Sequence, residues 1–144
     1  MDKNWFECRV SYDKVQENGA IKRITEAYVV DAMNFTEAEK RITKEMQPFI
    51  SGEFTVSTVR RRNYEAVIEG EYDLYYRVKI IVTTIDEKTA AEKRTNMFLL
   101  VAANDLVDAV AYAKDWLRGT MLDYKFHTVT ETAILDVFRY ELGL

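Results

Sequence analysis

The feature that most constrains the fold is a passage that occurs twice. Positions 23–42 read RITEAYVVDAMNFTEAEKRI, and positions 93–112 read KRTNMFLLVAANDLVDAVAY. Each is an apolar run of strand character, then Asn34 or Asn104, then an acidic amphipathic helix. Self-similarity at a fixed spacing signals a duplicated unit. At an offset of about 70, Thr25 matches Thr95, Tyr28 matches Phe98, Ala32 matches Ala102 and Asn34 matches Asn104. Further on, Met46 matches Trp116, Phe54 matches Tyr124, Thr58 matches Thr128 and Val59 matches Val129. In the first strand the offset is 68, pairing Arg9-Val10 with Arg77-Val78. Unequal hairpin loops produce such a drift.

The elements around the repeat follow from period and punctuation. WFECRVSYDKVQ (5–16) alternates, with Phe6, Cys8, Val10 and Tyr12 on one side and Trp5, Glu7, Arg9 and Ser11 on the other. Asn18-Gly19 is a hairpin signal, because both residues tolerate positive φ. KRITEAYVVDA (22–32) is the returning strand. Thr36 and Glu39 fit a capping box for the first helix, with Ala38, Ile42, Met46 and Phe49 as its apolar stripe. Pro48 and Ser51-Gly52 end it. Positions 53–62 form a strand, and 64–69 either continue it past a bulge or form a short strand. After Gly70 come strands at 72–85 and 95–103. The second helix is capped by Asn104 or Asp105, turns Leu106, Val110, Ala113 and Leu117 inward, and stops at Gly119. A last strand covers 123–138.

We therefore expect one α+β domain over residues 1–144, with internal repeats at 5–69 and 72–138. Duplicated β-β-α-β units would form a pseudo-twofold, antiparallel-rich sheet with two helices packed on it.

Functional chemistry is hard to find in these residues. The chain has one cysteine, Cys8, which excludes an internal disulfide and a cysteine-based zinc cluster. Its place on the apolar side of a strand marks it as a small hydrophobe rather than a nucleophile. His127 is the only histidine, and reads as a solvated strand residue. The five glycines (19, 52, 70, 119 and 143) lie singly at turns and element ends, so no phosphate-cradling loop is present. We expect no enzyme activity, no cofactor and no metal site. The apolar run MFLLVAA (97–103) is far shorter than a bilayer span, and the N-terminal residues lack a signal-peptide core, so a cytoplasmic protein is expected. A net charge of −4 argues against unspecific coating of polyanions.

One surface stands out. The strand at 72–85 presents Tyr75, Arg77, Lys79, Ile81 and Thr83 on one face, and the first strand presents Trp5 and Arg9. Arg60, Arg61 and Arg62 add positive charge at a strand end. Rings interleaved with cations suit single-stranded DNA or RNA: bases stack on rings at about 1–3 kcal/mol each, and cations follow phosphates. The expected nucleic-acid-binding residues are Trp5, Arg9, Arg60, Arg61, Arg62, Tyr75, Arg77 and Lys79. The alternative is a homodimeric protein-interaction or assembly module using exposed strand edges.

The phrases WFECRVSYDK, VVDAMNFTEAEKRI, PFISGEFTVS, TTIDEKTAAEKR, LRGTMLDY and ETAILDVF, spread over nearly the whole chain, resemble a family of short proteins of Bacteroidota and their phages, a domain of unknown function. The resemblance implies an intracellular bacterial or phage protein, and no catalytic or binding residues. Architecturally, strand-rich duplicated units with one helix each are similar, in permuted order, to the Pur-type and Whirly-type binders of single strands. That resemblance implies a sheet surface that holds nucleic acid.

Overall fold

The computed structural model describes residues 4–140; Gly143 lies outside them. In chain order the elements are β1 (Trp5–Val15), β2 (Ile21–Asp31), α1 (Phe35–Met46), β3 (Phe54–Arg62), β4 (Tyr64–Ile68), β5 (Leu74–Ile85), β6 (Glu92–Ala103), α2 (Leu106–Arg118), β7 (Asp123–Glu131) and β8 (Ile134–Phe138). The fold is α+β, with two four-stranded mixed sheets of like arrangement. One has the order β3-β1-β2-β8, the other β4-β6-β5-β7. This corrects the expectation of one shared sheet. The chain divides into two compact units: the described residues up to Asn63 and from Ala133 on, and Tyr64–Thr132.

Each sheet is built on a β-β-α-β run, and its fourth strand comes from the other half of the sequence. β4 follows β3 after a single residue yet pairs in parallel with β6, while β8 follows β7 and pairs in parallel with β2. The segment 123–138, expected as one strand, is accordingly two. Alternation alone cannot foretell this, because a five-residue strand carries the same pattern whichever sheet it joins.

In the first unit, α1 lays Ala38, Ile42 and Met46 on Phe6, Cys8, Val10, Val30 and Ala32. In the second, α2 lays Ala109, Ala113 and Leu117 on Tyr76, Val78, Ile80, Leu99 and Val101. The i, i+4, i+8 spacing sets one narrow stripe against each sheet. Phe49 is not part of the first stripe. It follows the end of the helix and is 74% exposed. Leu106, in the first turn of α2, is 49% exposed. The first cap differs from expectation: the side chain of Asn34, not Thr36, accepts from the Glu37 amide at 2.9 Å; of the two candidates for the second helix, Asp105 is the cap, accepting from the Asp108 amide at 2.8 Å.

The sheet registers revise the repeat offsets. Arg9 and Lys79 both stand beside a bulge, at Arg9/Val10 and Lys79/Ile80. The extra residue opposite is Ser57 in β3 and His127 in β7. The first strands thus match at 70, not 68. The second strands and helices match at 71, since the hairpin between Val15 and Ile21 is one residue shorter than that between Ile85 and Glu92. The left-handed position in these loops is Gly19 (φ 82°) in one and Ala90 (φ 59°) in the other. Asn18 does not adopt positive φ; its side chain accepts from the Ala20 amide at 3.0 Å. Among the described residues, no helix is long and apolar enough to cross a membrane.

Candidate nucleic-acid interface

Strand alternation settles where each expected contact residue lies. In the first unit, Trp5 stands opposite Arg62, Glu7 opposite Arg60, and Phe6 opposite Arg61. Cross-strand partners share a face, so the three arginines do not form one patch. Arg61 lies on the helix-covered face, its guanidinium 5.3 Å from the Phe6 ring and 5.7 Å from the Phe35 ring. Arg62 lies on the opposite face and is held by Glu7, Nε to Oε1 at 3.4 Å. That geometry is an ion pair without a hydrogen bond through Nε. Arg9 lies 3.8 Å from the other oxygen of the same carboxylate and remains exposed. Arg60 is exposed without an ion pair among the described residues.

The two rings expected to stack on bases do not present themselves. Trp5 is 3% exposed and Tyr75 is 5% exposed. The Arg139 guanidinium lies 5.0 Å from the Trp5 ring centroid. A ring with no open face offers nothing to a base, so Trp5 and Tyr75 serve packing. Alternation revealed which side of the strand each occupies, but not that the side is covered there.

In the second unit Arg77 donates from Nε to the Tyr64 hydroxyl at 3.2 Å. Lys79 stands opposite Phe98 on one side and Thr128 on the other. Beyond it the same face continues with Ile81 opposite Asn96 and Lys125, then Thr83 opposite Arg94 and Asp123. Lys79, Arg94 and Lys125 carry no ion pair among the described residues. Lys79, Phe98 and Ile81 are half-buried, while Arg94 and Lys125 are exposed. This end of the sheet therefore groups three cations without ion pairs near a half-open ring and an isoleucine, with Asp123 and Glu92 on the same face. Arg94 and Phe98 could have been found by counting register outward from the Asp86–Ala91 turn. Lys125 was hidden by the bulge at His127, which changes the parity of β7.

The corresponding end of the first sheet has other chemistry. Ser11, Thr25 and Ser57 share hydroxyl hydrogen bonds at 2.8 and 3.4 Å, and Arg23 pairs with Asp13 at 3.4 Å. Elsewhere, burial pushes the Cys8 thiol up to about 12, with the Glu7 and Glu39 charges adding to the shift. Such a thiol stays protonated, and so is a poor nucleophile.

A domain-family model matches residues 4–140, all but the two ends of the chain. The chain belongs to the DUF4494 family, a domain of unknown function. No curated protein and no solved structure matches it significantly. Membership in DUF4494 thus bears out the resemblance read from the sequence at the level of the family, and assigns no activity.

Proposed function

We propose that this DUF4494 protein binds single-stranded DNA or RNA without catalysing a reaction, and does so on the far end of its second sheet. The reading is carried by one observation: Lys79, Arg94 and Lys125 share a face without ion pairs among the described residues, and Lys79 stands opposite half-open Phe98. Cations that follow a phosphate backbone beside a ring available for stacking are the minimal kit for sequence-tolerant single-strand binding. Arg9 and Arg60 present further exposed charge on the first unit's own sheet.

The test is fluorescence anisotropy with a labelled oligonucleotide across a salt titration. Three phosphate contacts on a single strand give a slope of log K against log salt of about −2. The triple variant Lys79→Ala, Arg94→Ala, Lys125→Ala abolishes both the binding and the slope. Absence of binding by the unmodified protein at low salt overturns the proposal.

The competing reading is a homodimeric assembly module. It is favoured by β3 and β7, two nine-residue edge strands that pair on one side only within their sheets. Light scattering distinguishes the two, because a dimer built on strand edges survives the triple lysine and arginine variant.

A further inference from the structure

Two places in the molecule hold the same position in the repeat and carry opposite charge. In the first unit Arg61 of β3 stands opposite Phe6 of β1; in the second, Glu131 of β7 stands opposite Tyr76 of β5. The first strands match at 70, so Arg61 and Glu131 are equivalent. Beside them begin the helices, with Phe35 first in α1 and Leu106 first in α2, equivalent at 71. Both surroundings are apolar and open. Phe35 and Leu106 are half exposed, Met33 is 77% exposed next to the first, and Val107 is 73% exposed next to the second.

The two charged groups are set for a contact that neither makes within the chain. The Arg61 guanidinium rests against the Phe6 and Phe35 rings, yet among the described residues it enters no ion pair. Stacking occupies the faces of a guanidinium and leaves its edge donors open. Glu131 is exposed and accepts from the Tyr76 hydroxyl at 3.4 Å, and among the described residues it too enters no ion pair. Burial, followed by the charges of Glu131 and Asp105, raises the Tyr76 hydroxyl above its ordinary value, so the phenol stays a donor.

We propose that these patches are the two halves of one contact between copies of this chain. The Arg61 patch of one molecule docks on the Glu131 patch of another, guanidinium edge against carboxylate, with Met33 and Phe35 covering Leu106 and Val107. A second copy is the occupant because the chain itself presents the complement: opposite charge, with apolar side chains flanking both. The contact joins unlike patches, so each added molecule still offers one of each kind, and assembly runs head to tail unless it closes on itself. It uses neither the β3 and β7 edges nor Lys79, Arg94 and Lys125, and so stands apart from both readings above.

The experiment is sedimentation of the full chain over a concentration series at low and high salt. The contact is small, so a dissociation constant on the order of 100 µM is expected, weakening as salt screens the charges. Arg61→Glu and Glu131→Arg, both at exposed positions, each place like charges together and weaken self-association roughly tenfold or more. An equimolar mixture of these two variants associates again, since each then meets its opposite, and the double variant Arg61→Glu, Glu131→Arg recovers self-association. Val107→Ser weakens association severalfold, and the triple variant at Lys79, Arg94 and Lys125 leaves it unchanged. A chain that stays monomeric up to about 1 mM overturns the proposal. So does association that survives both single charge reversals, the behaviour of a strand-edge dimer, or a mixture that fails to associate. Loss of oligonucleotide binding by Arg61→Glu with no change in mass assigns that patch to nucleic acid and overturns it as well.

Discussion

Replacing Arg41 by Met tests how the first unit closes the end of its sheet. The Asp31 and Arg41 side chains are 11% and 13% exposed, and they form an ion pair. Methionine keeps most of the aliphatic volume and removes the charge. Asp31 then retains its contact with the Tyr140 amide, at 2.7 Å. Leaving a buried charge without its partner costs about 3–5 kcal/mol, and the residual solvent access here places Arg41→Met near the lower end, about 3 kcal/mol. Asp31→Ala costs less, about 2 kcal/mol, because the long arginine can turn its charge toward water. The double variant removes both charges, so its cost falls short of the sum by about 1.5–3 kcal/mol. Urea unfolding followed by Trp5 fluorescence measures all three, in a Trp116→Phe background that silences the other indole. Additivity to within about 0.5 kcal/mol would refute the argument, because it would mean that the two side chains do not share one desolvated contact.

Two further expectations concern single residues. Ala90 occupies a left-handed backbone position that the matching loop gives to Gly19, so Ala90→Gly should raise stability by about 0.5–1 kcal/mol in the same urea assay. Because the folded chain holds the Cys8 proton more tightly than the unfolded chain, its stability contribution is intact below 9.0 and is lost as pH rises from there toward about 12. Tyr28, also pushed up by burial and by Glu26, acts with the same sign. Native Cys8 should accordingly stay unreactive to a thiol reagent at pH 8 and become reactive on unfolding.

What was legible in the sequence and what was not have a common physical origin. Period and punctuation report on the chain within a few residues of themselves. They therefore locate both helices, the long hairpins and the duplication, and three members of the first stripe, Ala38, Ile42 and Met46, but not the exposed Phe49. Quantities set by distant pairing were not recoverable. The exchange of β4 and β8 between sheets is one, and the covering of Trp5 and Tyr75 is another. The splitting of Arg60, Arg61 and Arg62 across two faces was a different kind of miss. Alternation over Arg60–Arg62, beyond the bulge, already requires it, and grouping the three by sequence adjacency ignores the period of two.

The two halves also act as internal controls for each other. Positions that face the helices keep their apolar kind in both: Ala38 with Ala109, Ile42 with Ala113, Met46 with Leu117, Val10 with Ile80, and Phe6 with Tyr76. The bulges recur at equivalent places. Divergence concentrates where a side chain leaves the core. Glu7 corresponds to Arg77, so the carboxylate that holds Arg62 in one sheet is replaced by a cation tied to a tyrosine in the other. The Asp31, Arg41 and Tyr140 cluster corresponds to Ala102 and Tyr112 at an offset of 71, and to Gly70 at the offset of 70 that relates β8 to β4. Exchanging a buried ion pair for apolar and aromatic contacts is often neutral or stabilising, so each unit can finish this end of its sheet in its own way while the helix–sheet contacts stay alike.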